Sequence, residues 1–215
     1  MAYSLPNGGV FAIASAYGSA LTVTILTNAN PAVATSTAHG LTNGDFVEVT
    51  SGWANLTNQV VRVSGVTTNT FNLEGIDTSS TTRFPAGTGT GSVRKISTWT
   101  QLAQILTTAT DGGEQQFTTY QPLESDREFR IPTNISAQGL TLGIGDDPTQ
   151  PGYIAAVAAK KTRAQTALKF TLPTGSLILY NGIVGVNETP TTDANEVMKV
   201  TTTFSLNAQP VRYAS

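Results

Sequence analysis

Residue types able to do covalent or metal chemistry are few and scattered in this sequence. A Ser-His-acid triad would have to use His39, the only histidine. It sits in Ala38-His39-Gly40-Leu41 beside a turn, with no Gly-x-Ser-x-Gly elbow to serve. Its expected role is a structural hydrogen bond. With no cysteine in the chain, a thiol nucleophile, a zinc-cysteine centre and a disulfide framework are all excluded. Asp146-Asp147 is the only adjacent pair of carboxylates, and the start of a helix accounts for it. Paired carboxylates of the glycosidase kind can converge from anywhere in a chain, but no feature points to them here. Gly87-Thr88-Gly89-Thr90-Gly91 lacks the following lysine and the strand–helix setting of a phosphate loop. The expectation is a non-enzymatic protein with no catalytic residue, no cofactor and no metal site.

Composition points toward assembly. Only 12% of residues are charged, against about 25% in ordinary soluble domains. Threonine, glycine, alanine and asparagine take their place. A soluble monomer keeps a charged, mixed surface, so a chain this poor in charge fits a surface covered by copies of itself. The formal net charge is -2, which gives no basic footprint for gripping phosphates. Met1 to Val10 has neither the basic start nor the apolar stretch of a signal peptide. The helix-like apolar stretch Ile154 to Ala159 is too short to span a bilayer. The chain is expected to be made and folded in a cytoplasm, outside any membrane.

The elements that would position functional residues read mainly as strands, with β-branched and aromatic residues alternating between Gly, Pro, Asn and Asp. Residues 1–9, with Pro6-Asn7-Gly8-Gly9, read as a mobile arm. Phe11 and Ile13 lie in a small-residue strand that ends at Gly18. Residues 22–95 read as a separate small β unit with strands at Phe46-Val47-Glu48-Val49, Val60-Val61-Arg62-Val63 and Phe71-Asn72-Leu73. Its charges balance, Arg62, Arg83, Arg94 and Lys95 against Asp45, Glu48, Glu74 and Asp77. It closes in a Gly/Thr stretch, Pro85 to Gly91, expected to be a loop or hinge. Residues 1–21 and 96–215 form the main domain.

Within that domain a short helix is expected over Trp99 to Leu106, since Leu102, Ile105 and Leu106 share a helical face. Glu114 to Tyr120 reads as a strand. Residues 121–134 read as a long polar loop, with Phe129-Arg130-Ile131 as a brief strand. The clearest helix follows Asp146-Asp147, with Pro148 and Pro151 confined to its first turn and Lys160, Lys161 and Arg163 in its last turns. Ile154, Val157 and Ala158 are its expected apolar face. Three strands end the chain. Leu168 and Phe170 alternate with Lys169 and Thr171, and Leu177 to Val186 is apolar throughout. The last strand sets Met198, Val200, Phe204 and Leu206 on one face and Lys199, Thr201, Thr203 and Ser205 on the other.

Charge is segregated along the chain. From Asp111 to Asp147 there are seven acids and only two bases, Arg127 and Arg130, whereas Pro148 to Asn187 holds Lys160, Lys161, Arg163 and Lys169 and no acid. Acidic and basic surfaces of this kind would give register to a head-to-tail assembly.

The segments Leu172-Pro173-Thr174-Gly175-Ser176, Tyr180-Asn181-Gly182-Ile183-Val184-Gly185-Val186 and Val197 to Pro210 resemble the end of siphophage major tail tube proteins. In that family a Pro-x-Gly turn leads into an aromatic-x-Gly-x-Val strand, a polar loop and a final Thr-rich strand. The helix after Asp146-Asp147-Pro148 also fits. Residues 22–95 resemble a small β module of phage tail and virion proteins through Ala29-Asn30-Pro31-Ala32-Val33-Ala34-Thr35, Ala38-His39-Gly40-Leu41, Asn43-Gly44-Asp45, Val61 to Val66, Asn69-Thr70-Phe71-Asn72-Leu73 and Gly75-Ile76-Asp77.

The resemblance implies a mainly β protein, a tail-tube-type β-sandwich or barrel with a flanking α-helix plus the small inserted all-β domain. It implies self-assembly in the virion, with hexameric rings stacked into a hollow, non-contractile tail tube assembled in the host cytoplasm. The implied partners are other copies of the chain, tail tip or baseplate and tail terminator proteins, and in the lumen the tape measure protein and then DNA, bound without sequence specificity. A long loop and an N-terminal arm bridge neighbouring rings in the family, which makes Tyr3, Leu5, Glu124, Asp126, Arg127, Glu128 and Arg130 contact candidates. Lys160, Lys161 and Arg163 join them on charge. DNA must slide, so a polar or acidic wall is expected, with Glu114, Gln116, Thr118, Lys199, Thr201 and Thr203 as lumen candidates. The alternative is a tail-tip, fibre or adaptor β protein binding a host glycan, for which Trp53 and Trp99 are the available aromatic platforms. Trp53 is expected to be a packing residue.

Overall fold

The computed structural model describes residues 7–192 and 194–214. Alternating β-branched and small residues give strands almost throughout, and one segment, opened by Pro151, is helical. In chain order the elements are β1 Val10–Val23, β2 Ile25–Leu26, β3 Ala32–Thr35, β4 Phe46–Ser51, β5 Val60–Ser64, β6 Thr70–Leu73, β7 Gly91–Leu102, β8 Ile105–Asp111, β9 Gln115–Tyr120, β10 Phe129–Ile135, β11 Gln138–Gly145, α1 Pro151–Thr162, β12 Gln165–Thr171, β13 Leu177–Asn187, β14 Lys199–Leu206 and β15 Val211–Tyr213. The fold is mainly β with a curled sheet and one helix, as expected.

Strand pairing runs β2-β3-β6-β5-β4-β7-β1-β12-β13-β14-β11-β8, with β15 on β13. Because β1 passes through Thr24 directly into β2, and the Thr24 amide donates to Thr35 O at 2.9 Å, the first part of this path closes on itself. The second half of β1 with β2, then β3, β6, β5, β4 and the first half of β7, make a barrel without free edges. Its interior is filled by Val47, Trp53, Leu56, Phe71 and Leu73, among others. The other half of the path curls around a second core. That core gathers Phe11, Ile13, Leu102 and Leu168 from one limb and Leu140, Leu142, Val200 and Phe204 from the other. The helix α1 lies on the concave side through Ala156, with Tyr153, Val157 and Ala159 partly buried.

Four local expectations are corrected. The strand begun at Phe11 does not end at Gly18. It continues to Val23 through register shifts against β7 between Ala14 and Ala20. Trp99 to Leu106 is not a helix, because β1 and β11 offer ladders to either side of it. Gln104 takes a left-handed φ of 57° where β7 breaks into β8. Within 121–134, residues 121–128 are the loop, and the brief strand expected at Phe129-Arg130-Ile131 is longer, running to Ile135 as β10 and pairing with β9. Pro132 is tolerated there because β10 has no second neighbour. Finally, Ile154 and Ala158 face solvent, and the packed face of α1 runs through Gly152 and Ala156.

Six of the eight balanced charges of the barrel form pairs. Arg62 joins Glu74 at 2.5 Å, Lys95 joins Asp45 at 2.7 Å, and Arg94 joins Glu48. The Gly/Thr stretch that follows is a fixed loop, not a hinge. Ser51 Oγ donates to Gly89 O at 2.8 Å, and Gly89 lies so close to the Trp53 indole that a Cβ there would stand 2.7 Å from the ring.

The barrel is also fastened to the curled sheet. Asn181 Nδ2 on β13 donates to Glu48 Oε1 at 3.0 Å and to Asn58 O at 2.8 Å. Tyr213 Oη accepts from the Arg62 amide at 2.8 Å and donates to Glu74 O at 3.0 Å. Lys169 Nζ lies 5.2 Å from the Phe46 ring centre and 4.8 Å from that of Trp99. Burial pushes the Tyr213 and Tyr17 hydroxyls from 10.0 up to about 12. The folded chain therefore holds both protons where the unfolded chain releases them. That contribution to stability is complete below pH 10 and is lost as pH rises from about 10 through 12. Alkaline unfolding followed by tyrosinate absorbance is expected to be steep in this window. Tyr213→Phe should flatten the curve, and an unchanged profile in that variant would contradict the assignment.

Candidate assembly site

The final strand behaves as its alternation requires. Val200 and Phe204 enter the core, while Lys199, Thr201, Thr203 and Ser205 point to the convex side. Registers carry this face across neighbouring strands. Thr201 pairs with Gly143 and Asn187, Thr203 with Thr141 and Gly185, and Ser205 with Gly139 and Ile183. Beyond β11, Gly143 pairs with Thr107 and Thr141 with Ala109. The result is a convex face on β13, β14, β11 and β8 made chiefly of hydroxyls and glycine. The glycines are sites of close approach: a Cβ at Gly143 would meet Thr107 Oγ1 at 2.3 Å. Two charges stand on it. Asp111 is at the end of β8, and Lys199 has its Nζ 4.0 Å from Glu196 Oε2.

The lumen candidates do not come together as one surface. Lys199, Thr201 and Thr203 lie on this face, whereas Glu114, Gln116 and Thr118 belong to the separate β9–β10 ribbon. Gln116 and Thr118 share a ribbon face with Tyr120, Phe129 and Ile131, since Tyr120 pairs with Phe129 and Thr118 with Ile131. The opposite face carries Phe117 opposite Pro132. Every residue of β9 and β10 is exposed, and Leu123 near the tip stands fully in solvent. The ribbon continues the β8–β11 ladder past a bend at Gly112 and Gly113, whose φ values are +70° and +80°. Glycine is required there, because a Cβ on Gly112 would come within 1.8 Å of Ala137 O. Sequence reading missed the ribbon's apolar character, which the spacing of Phe117, Tyr120, Phe129 and Ile131 could have revealed.

A second feature lies at the seam of the curl. Among the described residues, β8 pairs only with β11, so its other backbone edge is open. Beside it is a cavity of about 460 Å³ lined by Phe11, Phe170, Tyr180, Leu140 and Ile105, with Asn7 to Gly9 at its margin. Edge strands of natural proteins are blunted by charge, proline or a cover. Over Ile105 to Thr110 this one has none of these among the described residues.

The remaining contact candidates are dispersed. Glu124, Asp126, Arg127, Glu128 and Arg130 are on the ribbon. Lys160 is engaged within the chain, 2.7 Å from Glu188, while Lys161 and Arg163 are exposed. Arg163 caps α1 with a left-handed φ of 53°. Tyr3 and Leu5 lie outside the described residues. Asp147 organises the turn before α1, accepting from Thr149 and Gln150 side chains, and the Thr149 hydroxyl first among these holds its carboxyl below the usual range.

His39 is a turn residue. Its Nδ1 accepts from the Leu41 amide at 3.0 Å and its ring meets Phe71 edge-on. Trp53 is interior, donating Nε1–H to Pro85 O at 2.8 Å and to Thr88 Oγ1 at 3.0 Å, and Trp99 is half-buried under Lys169. Neither offers a sugar platform. Among the described residues no group of three or more metal-ligating side chains converges, and no helix is long and apolar enough to cross a membrane.

The chain thus joins a hydroxyl-lined convex sheet face with, among the described residues, an open strand edge and an uncovered apolar ribbon, and the last two are surfaces of the kind that other chains cover. No curated protein matches the chain. A family profile described as phage tail tube protein matches residues 51–215, from the end of β4 through every strand of the curled sheet except β1. The chain belongs to the phage tail tube protein family.

Proposed function

We propose that copies of this chain close into hexameric rings that stack into the hollow tail tube through which phage DNA passes to the host, with the convex face of β13, β14, β11 and β8 as the channel wall. Residues 22–95 are the inserted module and residues 1–21 and 96–215 the tube body. The observation that carries the reading is that wall. A duplex is held by neutralising its phosphates, and each basic contact adds to the grip. Thr201, Thr203, Ser205, Thr141 and Thr107 offer none, and the one lysine among them leans toward Glu196. Such a surface lets DNA slide.

The open edge of β8 supports ring closure. A strand from the neighbouring copy would satisfy its backbone and cover the apolar cavity beside it, and a closed ring leaves no edge unpaired. The apolar ribbon reaches the next ring. The partners are then the tape measure protein and DNA in the channel, and tip or baseplate and terminator proteins at the two ends. Assembly takes place in the host cytoplasm and the finished protein resides in the virion.

Negative-stain electron microscopy of the purified chain across a concentration series tests the proposal. Hollow tubes with a regular axial repeat are expected. Monomers alone at every concentration would refute it. Register between rings draws on the acidic ribbon and the exposed cations Lys161 and Arg163. Lys161→Glu with Arg163→Glu is therefore expected to shorten tubes at low salt, and high salt to shorten those of the parent. Lys160→Glu breaks only an exposed pair within the chain, so its effect on stability should be small. Equal tube lengths in all three conditions would rule out the electrostatic register.

A further inference from the structure

We infer that the β-barrel formed by residues 20–96 stands on the outer wall of the tube, one per subunit, turned away from the channel. The inference rests on the channel assignment just made and adds where the inserted module must lie. The concave side of the curled sheet holds a single core fed from both limbs, Phe11, Leu102 and Leu168 facing Leu140, Leu142 and Phe204 across it. Side chains alternate along a strand, so the residues between these emerge on the convex side. On one limb they are Ala14, Ala167 and Leu179, buried against Val60 of the barrel. On the other they are Thr141, Thr201 and Thr203, left open. Unbroken registers from Ala167–Asn181 through Gly185–Thr203 show that both sets lie on one continuous face. Since the two limbs wrap a common core, their convex sides look in opposite directions. If one lines the channel, the other carries the barrel outward.

The placement is fixed, not tethered. The strands β1 and β7 run through both units, and Asn181, Tyr213 and Lys169 fasten the barrel from the sheet side. The void of about 10 Å³ among Val23, Leu26, Val49 and Leu73 at one end of the barrel has room for no more than about one water. What the barrel presents is its outer loops, with Thr37 and Thr68 exposed at their tips.

The cysteine-free background allows a direct test. Thr68→Cys on the barrel and Thr203→Cys on the channel face are assembled into tubes, treated with biotin-maleimide and exposed to streptavidin. Electron microscopy is expected to show streptavidin along the whole length of Thr68→Cys tubes. Thr203→Cys tubes should be bare except at their ends, and their subunits should capture streptavidin fully once dissociated. Streptavidin along Thr203→Cys tubes, or its absence from Thr68→Cys tubes, overturns the placement while leaving the tube itself standing. Thr37→Cys and Ala109→Cys repeat the comparison if either first variant fails to polymerise. Failure of the parent chain to form tubes removes the channel assignment, and the placement with it.

Discussion

A chain in which a short Asn-Gly turn joins Asp111 directly to Gly139 is expected to melt like the parent and to form no tubes. The two residues are already a cross-strand pair of β8 and β11, so a two-residue turn suits the geometry. The deletion removes β9 and β10, in which no side chain is buried. Losing exposed residues changes stability by about 0.5 kcal/mol or less, so the melting temperature should barely move. What is lost is Phe117, Tyr120, Leu123, Phe129, Ile131 and Ile135, all exposed. A lone two-stranded ribbon is marginal in water, and one apolar on both faces gains its stability from whatever covers it. In a stacked tube that cover is another subunit. Circular dichroism melting and electron microscopy of the same sample read the two halves of the prediction. Normal tubes from the shortened chain would show that the ribbon has no part in stacking.

The largest expected effect on stability is at Trp53. The side chain is 1% exposed, packs edge-on to Phe84 at 5.3 Å between ring centres and shares its indole N–H between Pro85 and Thr88. Truncation to alanine leaves a large cavity and removes the indole donor from Thr88 Oγ1 and from Pro85 O, which keeps only the Thr88 hydroxyl. Costs for such changes are about 3–5 kcal/mol, which in a chain of this size lowers the melting temperature by roughly 10 °C. Trp53→Phe refills part of the space but not the hydrogen bonds, and should fall between the two. Calorimetry of the three proteins decides, and a cost for alanine under about 1 kcal/mol would mean that the barrel core tolerates a hole there. Because the barrel shares β1 and β7 with the tube body, the loss should appear in one transition of the whole chain.

Much of this architecture is legible where local pattern and tertiary need coincide. β12 and β14 follow directly from alternation at Leu168 to Phe170 and Val200 to Phe204, and β13 from the apolar run Leu177 to Val186, whereas the short β15 gives no such signal. Pro151 and the Lys160-Lys161 pair mark both ends of α1. Arg62, Arg94 and Lys95 among the barrel's balanced charges found carboxylates because they stand on strands whose neighbours carry Glu74, Glu48 and Asp45 on or beside them. Legibility fails where distant partners decide. Leu102, Ile105 and Leu106 satisfy a helical spacing, yet one is buried, one half-buried and one exposed, because a left-handed Gln104 sends two strands to different neighbours. Gly18-Ser19-Ala20 looks like a strand end, and only β7 alongside carries β1 past it.

The candidate site was readable by half. The Thr/Ser face of β14 could be named from its alternation alone, since period two leaves no other choice for a strand whose second face is apolar. Its extension over β11 and β8 could not, because Gly139, Gly143 and Thr107 acquire meaning only through register. The two strands of the ribbon are legible at Glu114 to Tyr120 and Phe129 to Ile131, but their pairing is masked by the polar segment between them, with Glu124, Asp126, Arg127 and Glu128. These sit in or beside its tip and say little about the paired strands behind them. Ile154 was placed in the core because its spacing with Val157 is helical, but that spacing does not say which of two half-apolar faces meets the sheet. Gly152 settles it. A Cβ there would press to 2.2 Å from Gln101 O, so the helix rests on its least bulky side.

The sharing of β1 and β7 between barrel and body also bears on the order in which the chain acquires its shape. Every pairing in the barrel lies within residues 20–96, whereas the body needs Ile13 to find Leu168. Synthesis proceeds at roughly 5–20 residues per second and domains fold as they emerge, so the barrel is expected to close on a ribosome that has yet to make β12. Once closed, it holds Phe11 beside Leu102 and Ile13 beside Thr100, a ready two-stranded edge. The long search for β12 then becomes the addition of one strand to a template, and the inserted module acts as a scaffold for the nascent remainder of its own polypeptide.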